Sequence, residues 1–153
     1  MQFEEAGTGR IFILRLEQGE IIHTVIEDFA SRHKIKRAVL TAIGGVDRES
    51  RLVTGPEDGL ARPVRPMLHS LDDVHEIVGA GTIFPDEQGN PVLHMHMACG
   101  RKNSTVTGCI RPGVAVWQIL EVYLQEITGT GGLRRLNQEL GLGVLEVNDS
   151  KVR

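Results

Sequence analysis

Cysteine is scarce in this sequence: among its 153 residues only Cys99 and Cys109 are cysteines. Two cysteines are too few for the disulfide framework of a small secreted protein, so a reduced protein is expected. Residues 1–5 read MQFEE, with no basic segment followed by an apolar one, as a secretion signal would require. No apolar run approaches the roughly 18 residues of a membrane span. We therefore expect a cytoplasmic protein without a membrane segment.

Positive charge is also scarce. The chain has 17 Lys and Arg against 20 Asp and Glu, which gives a net charge of −3 and a pI of about 6.1. A protein that binds nucleic acid through its phosphates needs a basic surface, and no block of Lys and Arg stands out here. Direct nucleic-acid binding is therefore not expected.

The apolar pattern predicts one amphipathic helix among many strands. Ile22, Val25, Ile26 and Phe29 recur at helical spacing, which predicts a helix over residues 20–33. We expect a loop-rich segment over residues 54–66, a short helix over 133–140, and strands at 12–16, 38–43, 74–84, 92–99, 105–110, 114–127 and 144–147. Strands joined by short turns pair antiparallel. The prediction is a single α+β domain over residues 1–153: a central, largely antiparallel sheet with the helix packed on one face.

The best functional clue is the pair His94 and His96. Alternate side chains of a strand share a face, so the two imidazoles point the same way while their neighbours in sequence point into the core. Imidazole nitrogen is a preferred zinc ligand, and zinc needs three or four ligands. The pattern predicts a metal site, with zinc as the expected ion. The alternative is a pair of half-buried histidines that bond only to backbone or water.

Strand register places further residues near this pair. If the connection before the histidine strand has six residues, Gly81 lies opposite His94 and Gly79 lies opposite His96. Glycines opposite two bulky rings would leave an open pocket, and His75 lies further along the same predicted face.

Two residues are candidates for a third metal ligand. A four-residue turn after the histidine strand places Cys109 opposite His96. His23 lies on the flank of the predicted helix, from which it could approach the sheet, although by itself it resembles a surface residue. Cys99 alternates to the other face, so a disulfide with Cys109 is not expected. Cys109 could also serve as a thiol nucleophile, but no Asp or Asn is placed to orient a histidine base.

Catalysis is less well supported than metal binding. A metal with an open coordination position can activate water for hydrolysis, but no general base shares the histidine face, since Glu76 alternates away from His75. A cupin-like metalloenzyme also uses His-x-His on a strand. Such an enzyme normally adds a Glu where this chain has Gly100 and Arg101. The sequence therefore leans towards a structural or sensory metal.

Taken in order, several segments resemble the plants-and-prokaryotes conserved (PPC) domain across nearly the whole chain. They are the helix of residues 19–33, the strand of 38–45 with its Ile-Gly-Gly end, HEIVGAGTI at 75–83, LHMH at 93–96, TGCI at 107–110, LRRL at 133–136 and GLGVLE at 141–146. The resemblance implies an α+β fold with an antiparallel-rich sheet and a homotrimeric assembly.

The resemblance also bears on function. Plant members carry AT-hook motifs centred on Arg-Gly-Arg-Pro, which this sequence lacks, so their DNA binding is not carried over. Many prokaryotic members have a His-x-His and a further His in a Gly-Gly-His segment. The first matches His94 and His96, and the second falls on Cys109, another competent zinc ligand. We expect a zinc-binding homotrimer of unassigned biochemical role; the alternative is a DNA-associated regulatory or interaction module that acts through a partner.

Overall fold

A computed structural model describes residues 1–147 of the chain and contains ten strands and one helix in that range. In chain order they are β1 (Gly7–Glu17), α1 (Ile22–Arg32), β2 (Ala38–Val46), β3 (Arg51–Pro56), β4 (Pro66–Ser70), β5 (His75–Pro85), β6 (Pro91–Arg101), β7 (Ser104–Ile110), β8 (Val116–Thr128), β9 (Leu133–Asn137) and β10 (Leu142–Glu146). Eight strands form one sheet in the order β1-β8-β2-β5-β6-β7-β3-β4, and β9 and β10 form a separate hairpin.

Every strand pairing in the large sheet is antiparallel, as the short predicted turns require. The helix is small beside this sheet, with 11 residues. The predicted α+β class is thus confirmed in a sheet-dominated form. Within residues 1–147, no helix is long and apolar enough to cross a membrane.

The helix packs on what we call the inner face of the sheet, the side that carries Met95 and Met97. It buries Ile22, Ile26 and Ala30, one stripe at helical spacing, in the same core cluster as those methionines. The Glu27 carboxylate accepts a hydrogen bond of 2.8 Å from the backbone N–H of Leu93, a residue of β6. Apolar burial therefore holds the helix on the sheet, and one polar contact ties it to the histidine strand.

The other side of the sheet, the outer face, carries several large exposed apolar side chains on β1, β2, β5 and β8, with the exposed Glu121 opposite Ile43. Ile13 is 74% exposed, Ile43 56% and Val78 60%, and Tyr123 is exposed beside them. Monomeric soluble proteins rarely leave so many large apolar side chains uncovered on one surface. We call these four residues the outer apolar patch.

The carboxyl-terminal region differs from the prediction. Residues 133–140 do not form a helix: Leu133–Asn137 pairs antiparallel with Leu142–Glu146. The turn between them is stabilised by Asn137, whose side-chain oxygen accepts from the Leu140 N–H at 2.9 Å and whose carbonyl accepts from the Gly141 N–H at 2.8 Å. Gly141 has a φ of 67°, a conformation in which glycine is the preferred residue. This turn chemistry prevails over the short helical pattern.

Candidate metal centre

The two histidines of β6 lie on the outer face, as alternation along the strand predicts. His94 and His96 are exposed, whereas Met95 and Met97 between and after them are at most 1% exposed. The ring centroids of the two histidines are 5.1 Å apart, and the ring planes are nearly perpendicular at 83°. Both imidazoles are therefore available on one surface.

Cys109 joins the histidines from the neighbouring strand. It lies directly opposite His96, so the predicted β6–β7 register is confirmed, although the connection has two residues and not four because Arg101 still pairs with Ser104. One nitrogen of each histidine and the Cys109 Sγ all lie within 4.8 Å of one another. Among residues 1–147, His94, His96 and Cys109 are the one group of three His, Cys, Asp or Glu side chains close enough to hold an ion.

The predicted register between β5 and β6 is wrong by one residue. Thr82, not Gly81, lies opposite His94, and Ala80, not Gly79, lies opposite His96. The cause lies in the connection, which is five residues long because Pro85 still pairs with Pro91. Its first residue, Asp86, accepts hydrogen bonds from the backbone N–H groups of Gln88 and Asn90 and so closes the shorter turn.

This shift turns Gly79 and Gly81 to the inner face, so they do not line a pocket at the histidines. A Cβ added at Gly79 would overlap the Met95 Cε, and one at Gly81 would lie 2.8 Å from both the His94 carbonyl oxygen and the Met95 Cβ. The glycines let two methionines pack against the sheet. His75 shares their face, is 8% exposed, and has its Nδ1 2.9 Å from the Asp73 carbonyl oxygen.

His23 is not brought to the cluster either. It belongs to α1, which packs on the inner face, while the grouped ligand atoms of His94, His96 and Cys109 lie outside. Its Nδ1 is buried and finds no hydrogen-bond partner among the described residues. Burial, and then the positive charge of Arg111, lowers the pKa of His23 below its ordinary value. The structure thus places His23 as a neutral, partly buried helix residue.

Cys99 behaves as the small hydrophobe that alternation predicts. It is fully buried in the core cluster, and burial raises the pKa of its thiol to about 11. Both cysteines are free. Cys109 is thus the thiol available to the histidines.

Two arginines beside the cluster were missed by sequence reasoning. The Arg111 Nη1 donates to the Cys109 Sγ at 3.0 Å, and the Arg134 Nη2 donates to the Thr82 Oγ1 at 2.9 Å. Arg111 was detectable, because it follows Cys109 by two residues and alternation places both on one face. Arg134 was not detectable, because it comes from the hairpin of β9 and β10, which folds back towards β5.

The arginines influence the protonation of the site. Burial, and then the charges of Arg134, His96 and Arg111, lowers the pKa of His94. The lowered pKa favours the neutral imidazole, which is the form that binds metal. The surroundings thus favour the ligating form of His94.

A cleft of about 640 Å³ opens onto the cluster. Its walls come from β3, β4, β5, β6 and β7, from both strands of the β9–β10 hairpin, and from residues of the β3–β4 connection and the segment after β7. Its lining residues are Val53, Gly55, Pro56, Val64, Pro66, Thr82, His94, Cys109, Arg111, Arg134, Leu142, Gly143, Val144 and Leu145. Most of these are apolar, and the two arginines are the charged members of the lining.

The donor set suits a zinc-type ion. Two imidazole nitrogens and one sulfur are ligands that zinc accepts in tetrahedral sites, and three protein ligands would leave one coordination position for another molecule. No Asp or Glu of the described residues belongs to the group. The site therefore fits a metal but has no carboxylate general base within it.

Comparison with known proteins relates this fold and site to a family. The model of the Plants and Prokaryotes Conserved domain, abbreviated PCC, matches residues 3–128. A search of curated proteins finds no match.

Solved structures of similar fold cover nearly the whole chain. A plant- and prokaryote-conserved (PPC) protein from Pyrococcus horikoshii has a TM-score of 0.82 and 22% identity, over 95% of this chain and 97% of that one. A metal-containing protein from Archaeoglobus fulgidus has a TM-score of 0.81 and 23% identity, over 94% and 98%. A candidate DNA-binding protein from Bacteroides thetaiotaomicron has a TM-score of 0.73 and 18% identity, over 92% and 96%. At these identities the likeness shows a shared fold.

Proposed function

This chain belongs to the Plants and Prokaryotes Conserved (PCC) domain family, and we propose that it is a zinc-binding, homotrimeric member of that family. The observation that carries the metal proposal is the meeting of His94, His96 and Cys109, whose ligand atoms lie within 4.8 Å of one another. Two adjacent strands of one rigid sheet hold these side chains, so the site is largely formed before an ion arrives.

The chemistry of the donors selects the ion. Mg²⁺ and Ca²⁺ prefer oxygen ligands, and none of the three donors is an oxygen. Imidazole and thiolate together suit zinc, and zinc needs no redox partner. The similar fold of the metal-containing protein from Archaeoglobus fulgidus supports metal binding by this fold.

Metal analysis of protein purified without an affinity tag tests the proposal. We expect one zinc per chain in the wild type and none in the His94→Ala, His96→Ala double variant. The matched control is the His33→Ala, His69→Ala double variant, which removes two histidines outside the group and should keep its zinc. A metal-free wild type whose melting temperature is unchanged by chelation would overturn the proposal.

Cobalt substitution tests the third ligand. Co²⁺ bound by a thiolate shows a sulfur-to-metal charge-transfer band in the near ultraviolet. We expect this band in the wild type and in Cys99→Ala, because Cys99 is buried in the core away from the site. The band should disappear in Cys109→Ser. A band that survives in Cys109→Ser would remove Cys109 from the ligand set.

Trimer formation is supported by the outer apolar patch. Its members Ile13, Ile43 and Val78 are more than half exposed in a single chain, and burying them between copies would remove that apolar surface from water. His96 and the patch residues Ile43 and Val78 line one shallow depression on the outer face. Assembly through the patch would therefore bring a neighbouring copy close to the metal centre.

A DNA-associated module that acts through a partner is the second candidate function. The observation that favours it is again the exposed patch, which could bind a DNA-binding partner instead of further copies; a protein of similar fold is also described as a candidate DNA-binding protein. A protein that is monomeric in solution, with the patch left free for a partner, would favour this candidate. A stable trimer that buries the patch would favour the first.

A further inference from the structure

The charged side chains that line the cleft beside the metal centre are both positive. Arg111 and Arg134 line it together with His94 and Cys109, and no Asp or Glu is among its lining residues. Within residues 1–147 neither arginine forms an ion pair with a carboxylate, whereas the next residue, Arg135, pairs with Glu87 at 3.0 Å and with Glu146 at 3.1 Å. Two guanidinium groups thus face one cavity without a carboxylate counter-charge among residues 1–147.

Arg134 is held in a position that leaves part of its hydrogen-bonding capacity unused. One terminal nitrogen donates to the Thr82 hydroxyl at 2.9 Å, while its Nε is buried and has no partner among the described residues. Because the Nε is enclosed, a ligand in the cleft would meet the terminal guanidinium nitrogens of Arg134. A planar carboxylate accepts two parallel N–H groups from an arginine.

The remaining walls of the cleft are apolar. Val53, Val64, Leu142 and Val144 line it, and its volume of about 640 Å³ falls within the range of roughly 300–1,000 Å³ that is usual for small-molecule sites. A ligand that matches these walls has a hydrocarbon body, and one that matches the arginines has an anionic end.

We infer that this cleft binds a small organic carboxylate, with its charged end between Arg111 and Arg134 and its hydrocarbon body against the apolar walls. The inference rests on the proposed function in one respect: a metal on His94, His96 and Cys109 adds positive charge at the anionic end and leaves a coordination position beside it.

Calorimetric titration with octanoate, and with octanamide as the uncharged control of the same shape, tests the inference. We expect octanoate to bind zinc-loaded wild type at least tenfold more tightly than octanamide, because only the carboxylate forms charge-assisted hydrogen bonds. Arg134→Gln should weaken octanoate at least tenfold, and Arg134→Lys should restore part of the affinity by keeping the charge. Arg135→Gln changes the neighbouring arginine, which lies outside the cleft lining, and should bind like the wild type.

Zinc content and melting temperature are measured on the same samples, which separates the two proposals. Zinc-loaded wild type that binds neither probe, or both equally, would overturn the carboxylate inference and leave the metal proposal intact. Wild type that takes up no zinc when the ion is supplied, yet binds octanoate through Arg134, would overturn the metal proposal and keep the inference. Loss of octanoate binding in Arg134→Gln with unchanged zinc and melting temperature supports both.

Discussion

The two faces of the large sheet use the same strands for different purposes. On the inner face, Met95 and Met97 are at most 1% exposed and pack against close glycines and the helix. On the outer face, one residue away along the same strand, His94 and His96 are exposed next to a cleft and an apolar patch. Because strand side chains alternate, the protein can devote one face to stability and the other to binding.

The largest effect should come from charge placed on the outer apolar patch. We expect the Ile43→Glu, Val78→Glu double variant to fall from a trimer to a monomer, a threefold drop in mass by analytical ultracentrifugation, because two carboxylates would be buried between copies. Leu60→Glu is the control, since Leu60 is 89% exposed outside the patch, and it should remain trimeric. A wild type that already sediments as a monomer would refute the assembly.

A methyl group added to the inner face should reduce stability rather than change assembly. We expect Gly81→Ala to lower the free energy of unfolding by about 1–3 kcal/mol, because its Cβ would lie 2.8 Å from backbone and side-chain atoms of β6. Gly100→Ala in β6 is the control, since its Cβ would meet nothing closer than 3.7 Å. Chemical denaturation measures both variants. Equal effects would argue against the inward position of Gly81.

The smallest expected effect concerns pH and His23. The pKa of His23 is lower in the folded protein than in the unfolded one. On acidification, the unfolded state therefore takes up a proton on His23 at a higher pH than the folded state does. This contribution to stability is fully present above about pH 6.5 and is lost as the pH falls through the folded pKa. In metal-free protein below pH 6.5, the free energy of unfolding should change less steeply with pH in His23→Gln than in the wild type. The difference in slope should be at most about 1.4 kcal/mol per pH unit.

His33→Gln is the matched control for this measurement, because His33 is an exposed histidine at the end of the same helix. It measures what the loss of an exposed histidine from the same region does to the slope. A slope that is unchanged in His23→Gln would contradict the buried, neutral state of His23. Retention of zinc in the same variant would confirm that His23 is not a ligand.

Local pattern was enough to predict much of the fold. The helix and the strand that carries the histidines follow from periodicity. The β6–β7 register was predicted correctly because the two-residue connection gives the same pairing as the expected four-residue turn. The β5–β6 register failed because Asp86 closes a turn that is one residue shorter. The helix expected at residues 133–140 failed because Asn137 and Gly141 form a hairpin turn there.

The sequence by itself determined that His94 and His96 share a face and, through the turn length, that Cys109 stands opposite His96. Both relations depend only on the alternation of side chains and on a short local turn. Only the tertiary structure decided that Arg134 completes the cleft, that Gly79 and Gly81 face the methionines, and that His23 stays apart. The physical reason is that these positions depend on how distant segments pack against the sheet, and the burial that drives such packing is non-directional and leaves no local pattern in the chain.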